Sequence, residues 1–363
     1  MDNRRVLIMS GVAARWTPAT LEVVPVPLRL LLRWVSIAVS LVIAAPAAPA
    51  FADPARPGNT VSVVDAVVPP VPGVRADIVG GDAFLRLTAT PGTEVRIPGY
   101  LGEPYLRIEA DGSVWRNAES PATTLNEDRY ITGDTPDVIT RPNAAASLAE
   151  PRWEPYGGGG TVLWHDHRVH WMGSGNPPTI DAEGLVQQWE VPVEVDGQEV
   201  LITGRLLRRP AASTGWWGAA LVAAGFVALI VMRRRVVAAM AVIGVVAGFG
   251  VAVSWWAWAS LPQPARSAPA MAVLASVAAL CTAATYATRH QVVAGPLLAG
   301  AGTSLVLMAW LGRQGVTAAV VPGLDDPWPW RVAVTAALGA GLVALVSGAQ
   351  TASRSRAPVS LEG

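Results

Sequence analysis

The sequence contains no lysine, one cysteine and only four histidines in 363 residues. Cys281 falls in an apolar segment near the C-terminus, so disulfides, thiolate ligation, thiol catalysis and iron–sulfur clusters are excluded from the polar part of the chain. Charged residues make up 15% and the formal net charge is zero. No basic run alternates with aromatic residues, so nucleic acid is not expected as a partner.

Apolar residues are in excess. They account for 52% of the composition, give a mean hydropathy of +0.37 and gather towards the two ends of the chain. This pattern predicts an integral membrane protein rather than a soluble one.

Residues 1–52 are interpreted as a signal peptide. Arginines precede an apolar run of twelve residues, Trp34 to Ala45, which is too short for a hydrocarbon core that needs ~20 residues. The small residues of Ala50-Phe51-Ala52 stand at the positions a signal peptidase reads, so we expect cleavage after Ala52. An uncleaved anchor or a later translation start stays open as an alternative.

Residues 53–210 predict a β-rich, sandwich-like extracytoplasmic domain. Short alternating runs, such as Phe84–Thr88 and Glu94–Ile97, are separated by turn residues at close spacing. Asp111-Gly112 and Asp196-Gly197 each lie between two such runs, and this dipeptide is typical of tight hairpin turns. We expect this domain to be followed by an all-α bundle of transmembrane helices.

The region 211–348 contains five apolar segments of about 17 to 23 residues, long enough for tilted transmembrane helices. The predicted spans are 216–232, 236–258, 270–288, 292–311 and 330–348. None has a carboxylate, histidine or arginine at depth, which favours an anchor over a permeation pathway.

Arginines predict the orientation of these spans. Arg233–Arg235, Arg289, Arg354 and Arg356 would all be cytoplasmic if the sandwich lies outside, as the positive-inside rule requires. Residues 349–363 are then a cytoplasmic tail. Tryptophans at the opposite ends of the spans form an aromatic belt on one side of the bilayer; they are Trp216, Trp217, Trp255, Trp256, Trp258, Trp310, Trp328 and Trp330.

Three of the four histidines fall in one motif, Trp164-His165-Asp166-His167-Arg168-Val169-His170-Trp171-Met172. Neutral imidazole is the commonest protein ligand for copper, zinc, nickel and iron. If residues 162–172 form one strand, the side chains of His165 and His167 share a face about 6 to 7 Å apart. His170 then points to the other face, unless a bulge or turn after Arg168 rotates it back.

Two further side chains of the motif can take part in a metal site. The thioether of Met172 is a soft ligand that pairs with histidine for copper, particularly reduced copper, whereas zinc needs a fourth N, S or O donor or a water. Asp166 can supply an oxygen ligand or orient an imidazole. The candidate metal ligands are therefore His165, His167, His170, Met172 and Asp166, with copper favoured over zinc.

Other interpretations of the motif stay open. Asp166 and Arg168 can pair on the surface and Trp164 and Trp171 can fill a core, which leaves the histidines structural. Exposed histidines near the membrane can also act as a pH sensor, because the unperturbed pKa is ~6.5.

Catalytic motifs are incomplete. Gly173-Ser174-Gly175 does not fit a nucleophile elbow, and the glycines of 157–160 are not followed by the Lys-Ser or Lys-Thr of a phosphate-binding loop. An enzyme is therefore not favoured, and a membrane-bound hydrolase is the weakest alternative.

The segments 99–108 (GYLGEPYLRI), 120–123 (SPAT) and the histidine motif together resemble a group of uncharacterised actinobacterial membrane proteins. These have a signal peptide, an extracytoplasmic domain and C-terminal helices, and the histidine motif is the most specific part of the resemblance. It implies a location and an architecture but no established activity.

The sequence thus predicts a multi-pass cell-membrane protein whose outer domain binds a metal, copper by preference, and handles it in the cell envelope. Its expected partners are the lipid bilayer and envelope metal-handling or other membrane proteins. The alternative is a non-catalytic envelope scaffold or sensor that binds another protein and keeps its histidines for structure.

Overall fold

The computed structural model describes residues 54–127, 150–173, 176–233, 236–288 and 291–354. The predicted signal peptide lies outside these residues. So do several of the arginines on which the predicted topology rests, namely Arg234, Arg235, Arg289 and Arg356.

The N-terminal region of the described chain is built from antiparallel strands and one short helix. The strands are β1 (Thr60–Val68), β2 (Val74–Val79), β3 (Phe84–Ala89), β4 (Val95–Pro98), β5 (Pro104–Ile108), β6 (Val114–Asn117), β7 (Trp153–Gly157), β8 (Thr161–Trp164), β9 (Leu185–Val195) and β10 (Gln198–Arg208), and the helix is α1 (Pro121–Leu125).

These strands form a sandwich of two sheets, which confirms the predicted β-rich architecture. One sheet has the order β1-β10-β9-β4-β5-β6-β7 and the other the order β2-β3-β8. Alternate side chains of both sheets pack into one buried cluster that includes Leu87 and Trp164 from the small sheet and Ile97, Leu106 and Ile202 from the large one. Burial of these side chains is the main force that holds the sheets together.

Both predicted Asp-Gly hairpins are present. Gly112 connects β5 to β6 at φ 81°, and Asp196 and Gly197 connect β9 to β10 at φ 49° and 80°. In the β9–β10 turn, left-handed backbone at both central positions matches the twist of the paired strands, and Asp and Gly tolerate it. By contrast, β3 and β4 lie in different sheets, so the turn between them carries the chain across the sandwich.

The single strand over residues 162–172 that was considered for the sequence does not form. Strand β8 ends at Trp164, and the histidine motif continues as a turn. This difference decides the geometry of the histidines, which is described below.

The C-terminal region is helical. Its helices are α2 (Trp216–Met232), α3 (Val236–Ala259), a 3₁₀ turn (Gln263–Ala265), α4 (Ala270–Thr288), α5 (Gln291–Gly312), α6 (Gln314–Thr317) and α7 (Trp328–Arg354). In the described chain, α3, α4, α5 and α7 are long and apolar enough to cross a membrane, whereas α2 is apolar but only 17 residues long. The structure thus supports a membrane protein with four candidate spans.

The long helices and α2 run up and down in one bundle. The start of α4 meets the end of α5 at Met271 and Gly312, and the end of α3 reaches the loop before α7 at Ala257 and Gly323. The Arg331 guanidinium in the first turn of α7 lies 5.9 Å from the ring of Trp216 at the start of α2. Each of these helices therefore has one end at the same side of the bundle.

The sandwich rests on that side. Phe84 and Leu163 pack with Leu261 and Ala265 of the α3–α4 connection, and Gly58 forms a β-bridge with Val320 ahead of α7. The end of β8, where the histidine motif begins, is consequently held close to the helical region.

Candidate metal centre

A tight turn brings the histidines together. The backbone N–H of Val169 donates to the carbonyl oxygen of Asp166 (3.1 Å), and Val169 is fully buried in the sandwich core. The chain therefore reverses directly after β8, and His170 returns to the side of His165. Strand alternation gives the opposite placement for His170, so the turn alternative considered for the sequence is the one that occurs.

The three imidazole rings form a compact, buried cluster. Their centroids are 5.6 Å apart for His165 and His167, 4.7 Å for His165 and His170, and 5.3 Å for His167 and His170. The residues are only 1%, 6% and 1% exposed in chain order. The cluster thus lies inside the domain and not on its surface.

Two of the rings are oriented by backbone carbonyls. Nδ1 of His165 lies 2.5 Å from the carbonyl oxygen of Ala83, and Nδ1 of His170 lies 3.1 Å from that of Trp171. A carbonyl oxygen can only accept, so Nδ1 carries the proton in both rings. In a neutral imidazole this leaves the lone pair on Nε2, which is the arrangement that metal-binding histidines use.

The spacing of the nitrogens fits a single ion after a small adjustment. One ligand atom from each histidine lies within 4.8 Å of one from each of the others. Three nitrogens bound to one ion at ~2.0–2.1 Å in a tetrahedral arrangement lie roughly 3.3 Å apart. The widest pair must therefore approach by at most roughly 1.5 Å for all three histidines to bind one ion. The histidine cluster could hold a metal ion.

Asp166 and Arg168 form the salt bridge that supports the turn. Nε and Nη2 of Arg168 donate to the two carboxylate oxygens of Asp166 at 2.8 and 2.6 Å, and the backbone N–H of Arg168 donates to Oδ1 at 3.0 Å. The indole N–H of Trp164 donates to Oδ2 at 2.9 Å. The pairing suggested by the sequence is present, but the Asp166 side chain is completely buried instead of lying on the surface.

Both members of this pair are charged. Burial is the largest single influence on Asp166 and would raise its pKa, but the charge and hydrogen bonds of Arg168, together with Trp164, lower it below the usual value. For Arg168, burial lowers the pKa and is outweighed by Asp166, which raises it. The turn therefore contributes no net charge to the histidine cluster.

Tyr100 supports the turn from another part of the chain. Its hydroxyl accepts the backbone N–H of His167 at 3.0 Å and donates to Oδ1 of Asn126 at 2.5 Å. Its ring stacks on the His167 imidazole at 6.0 Å and lies 5.1 Å from the Arg168 guanidinium. Burial raises the pKa of Tyr100 well above its ordinary value, and Asp166 adds to that rise, so the hydroxyl stays protonated.

A buried polar network holds Tyr100 in place. Glu103 accepts hydrogen bonds from the hydroxyl of Ser120 (2.9 Å) and the backbone N–H of Leu101 (2.9 Å). Ser120 caps helix α1 by accepting from Ala122 N–H, and the Asn126 side-chain amide at the end of α1 donates to the Tyr105 hydroxyl at 3.1 Å. The segments 99–108, 120–123 and 164–172, noted separately in the sequence, thus meet at one place.

Sequence reasoning missed Tyr100, Asn126 and the Ala83 carbonyl as parts of this site. The segment around Tyr100 stood out only through the family resemblance, and nothing in its spacing pointed to the histidines. Met172 lies two residues beyond His170 and is partly buried, as is Trp171.

No protein-family model matches the chain, and comparisons with curated proteins and with solved structures return no match. The resemblance to actinobacterial membrane proteins therefore stays a prediction.

Proposed function

We propose that this chain is a membrane-anchored protein that binds one copper ion in its sandwich domain and delivers it within the cell envelope, without catalysing turnover. The observation that supports this proposal is the convergence of ligand atoms from three buried histidines within 4.8 Å. His165, His167 and His170 are the proposed ligands, and other envelope metal-handling proteins are the proposed partners.

The charge of the site favours a monovalent ion. The proposed ligands are neutral imidazoles, and the only carboxylate of the turn is neutralised by Arg168. Desolvating an ion costs more as its charge rises, and a divalent ion in a buried neutral site has no anionic ligand to offset that cost. Cu(I) carries one charge and accepts imidazole and thioether ligands. These two arguments favour Cu(I) over Zn(II).

Met172 is the proposed fourth ligand. Its thioether follows His170 by two residues, at the exit of the turn, and pairs with imidazole in copper sites. Asp166 is proposed to support the site instead of binding the ion, because both of its carboxylate oxygens already accept hydrogen bonds from Arg168 and Trp164.

The proposed topology has five spans. Helix α2 is ~26 Å long at 1.5 Å per residue, slightly less than the ~30 Å hydrocarbon core, and its 17 residues are at the lower limit for a span. It starts at the same side of the bundle as α7, as the contact between Trp216 and Arg331 requires. With a cleaved signal peptide and the sandwich outside, five spans place the C-terminus in the cytoplasm.

A metal titration of the full chain in detergent tests the proposed function. Cu(I) is added under anaerobic conditions in competition with a colorimetric Cu(I) chelator, and Cu(II) and Zn(II) are titrated separately. We expect one equivalent of Cu(I), bound more tightly than Zn(II). The variant with His165, His167 and His170 all changed to Ala should lose this equivalent.

The fourth histidine gives a matched control, since His290→Ala removes an imidazole that is not part of the histidine motif and should bind copper like the wild type. His170→Gln guards against loss of folding, because it keeps a polar side chain of similar size and should still weaken binding. Equal copper binding by the wild type and the triple variant would contradict the proposal and leave the scaffold alternative. Tighter binding of Zn(II) would reject copper while keeping the site.

A further inference from the structure

A cavity lies between the sandwich and the helical bundle. It has a volume of about 360 Å³ and is bounded by the ends of α3, α4 and α5, the loop before α7 and the segment Pro54–Pro57. It shares no lining residue with the histidine cluster. A volume of this size is in the range of small-molecule sites.

One hydroxyl in this cavity lacks the backbone hydrogen bond that several other hydroxyls of the bundle form. The hydroxyls of Ser276, Thr282, Thr285, Thr303 and Thr335 each donate to the carbonyl oxygen four residues earlier. Ser254 of α3 lines the cavity and is only 5% exposed, yet its Oγ has no hydrogen-bond partner in the part of the chain that the structure describes. A buried hydroxyl without a partner costs free energy, so a ligand that accepts from Ser254 would be stabilised.

The rest of the lining fits an amphiphilic ligand. Apolar side chains dominate it, including Leu261, Met271, Leu311 and Val321. The one charged side chain among the described lining residues is Arg56, which is exposed and whose guanidinium has several N–H donors for an anion. The cavity therefore suits a molecule with an apolar chain and an anionic group.

The position of the cavity indicates that such a molecule comes from the lipid bilayer. Trp258 and Trp330 line it, and tryptophans at helix ends mark the headgroup level of a bilayer. A molecule at this depth has its polar group beside the sandwich and its apolar part beside the helices, which is how a phospholipid is arranged in the adjoining leaflet.

We propose that this cavity binds one phospholipid molecule. The lipid phosphate lies at Arg56, the Ser254 hydroxyl donates to an ester carbonyl, and an acyl chain fills the apolar part. The lipid then joins the N-terminal segment of the sandwich to α3, α4 and α5.

Native mass spectrometry of the full chain in detergent tests this site, with added dioleoylphosphatidylglycerol as the probe. We expect a saturable one-to-one complex. Arg56→Gln should bind about tenfold more weakly, because it loses a charge-assisted hydrogen bond. Ser254→Leu should abolish the complex by filling the cavity, and Ser254→Ala, which removes only the hydroxyl, should weaken it several-fold.

Arg75→Gln is the matched control, since Arg75 is an exposed arginine on β2 that does not line the cavity, and it should bind like the wild type. Binding that does not saturate, or that is equal in all the variants, would show lipid around the bundle only and would overturn the proposal. Displacement of the lipid by millimolar inorganic phosphate would also overturn it, as the site would then recognise phosphate alone. The triple histidine variant should bind lipid normally, so this proposal and the copper proposal fail separately.

Discussion

The rings of His165 and His170 lie 4.7 Å apart between centroids, the shortest separation among the three histidines of the motif. A strand continued from β8 would place these two side chains on opposite faces. The turn from Asp166 to Val169 places them together instead, and the Asp166–Arg168 pair holds that turn. The stability of this pair and the geometry of the histidine cluster should therefore change together.

Removing the Arg168 side chain should destabilise the sandwich strongly. Arg168→Ala leaves the completely buried carboxylate of Asp166 without its guanidinium, and loss of one partner of a buried pair costs about 3–5 kcal/mol. Arg168→Lys keeps the charge but loses the paired geometry of two N–H donors, so its effect should be smaller. Thermal unfolding of the detergent-solubilised chain measures both.

Arg205→Ala is the matched control for this prediction. Arg205 pairs with Asp65 at 2.9 Å, but the two side chains are 47% and 36% exposed, so solvent screens the pair and its loss should change the unfolding temperature very little. Equal effects of Arg168→Ala and Arg205→Ala would show that the buried pair does not support the turn.

Loss of the Tyr100 hydroxyl should weaken both folding and copper binding. Tyr100→Phe keeps the ring on His167 but leaves the His167 backbone N–H and the Asn126 oxygen without this partner, at a cost of about 1–3 kcal/mol. Tyr286→Phe is the control, because Tyr286 is 57% exposed on α4. If Tyr100→Phe and Tyr286→Phe have the same unfolding temperature and the same Cu(I) affinity, the Tyr100 hydroxyl does not support the site.

A methyl group at Gly99 should disturb the site from a distance. A Cβ at this position would overlap the carboxylate of Glu103, which is 4% exposed and hydrogen-bonded to Ser120. Overpacking of this kind costs about 1–3 kcal/mol. We expect Gly99→Ala to lower the unfolding temperature and Gly158→Ala to lower it less, since a Cβ at Gly158 meets no atom within 4 Å and the backbone there is not in the left-handed region. A larger drop in unfolding temperature for the control variant than for Gly99→Ala would argue against a rigid hydrogen-bond network around Glu103.

The five-span topology predicts opposite labelling at the two ends of α2. The only native cysteine, Cys281, is buried, so single cysteines can be introduced at the exposed positions Ser213 and Arg233. A membrane-impermeant maleimide should label Ser213→Cys in intact cells and Arg233→Cys only after permeabilisation. Labelling of both in intact cells would show that α2 does not cross the membrane.

Local sequence signals were sufficient for much of the fold. Asp196-Gly197 specifies its hairpin because the backbone there needs positive φ at both positions, which Asp and Gly adopt more readily than most residue types. The apolar helices follow from length and hydropathy in the same way, and α2 is ambiguous because its 17 residues are close to the limit for a span.

The candidate site was only partly predictable, because it depends on contacts between distant segments. The three histidines are conspicuous in so histidine-poor a chain, but the end of β8 at Trp164 is set by the Asp166 carboxylate, which binds groups on both sides of the turn. Residue types alone do not reveal that β8 ends at Trp164. The role of Tyr100 depends on a hydrogen bond across 67 positions of sequence, which no periodicity encodes.

X-ray absorption at the copper edge of the Cu(I)-loaded full chain tests the central claim most directly. Three imidazoles around one ion predict a first shell of nitrogen neighbours at ~2.0 Å with the multiple scattering of imidazole rings, reduced in His170→Gln and unchanged in His290→Ala. A sulfur neighbour that disappears in Met172→Leu would add the proposed fourth ligand. A spectrum without imidazole scattering, or one that is identical in wild type and His170→Gln, would contradict the claim.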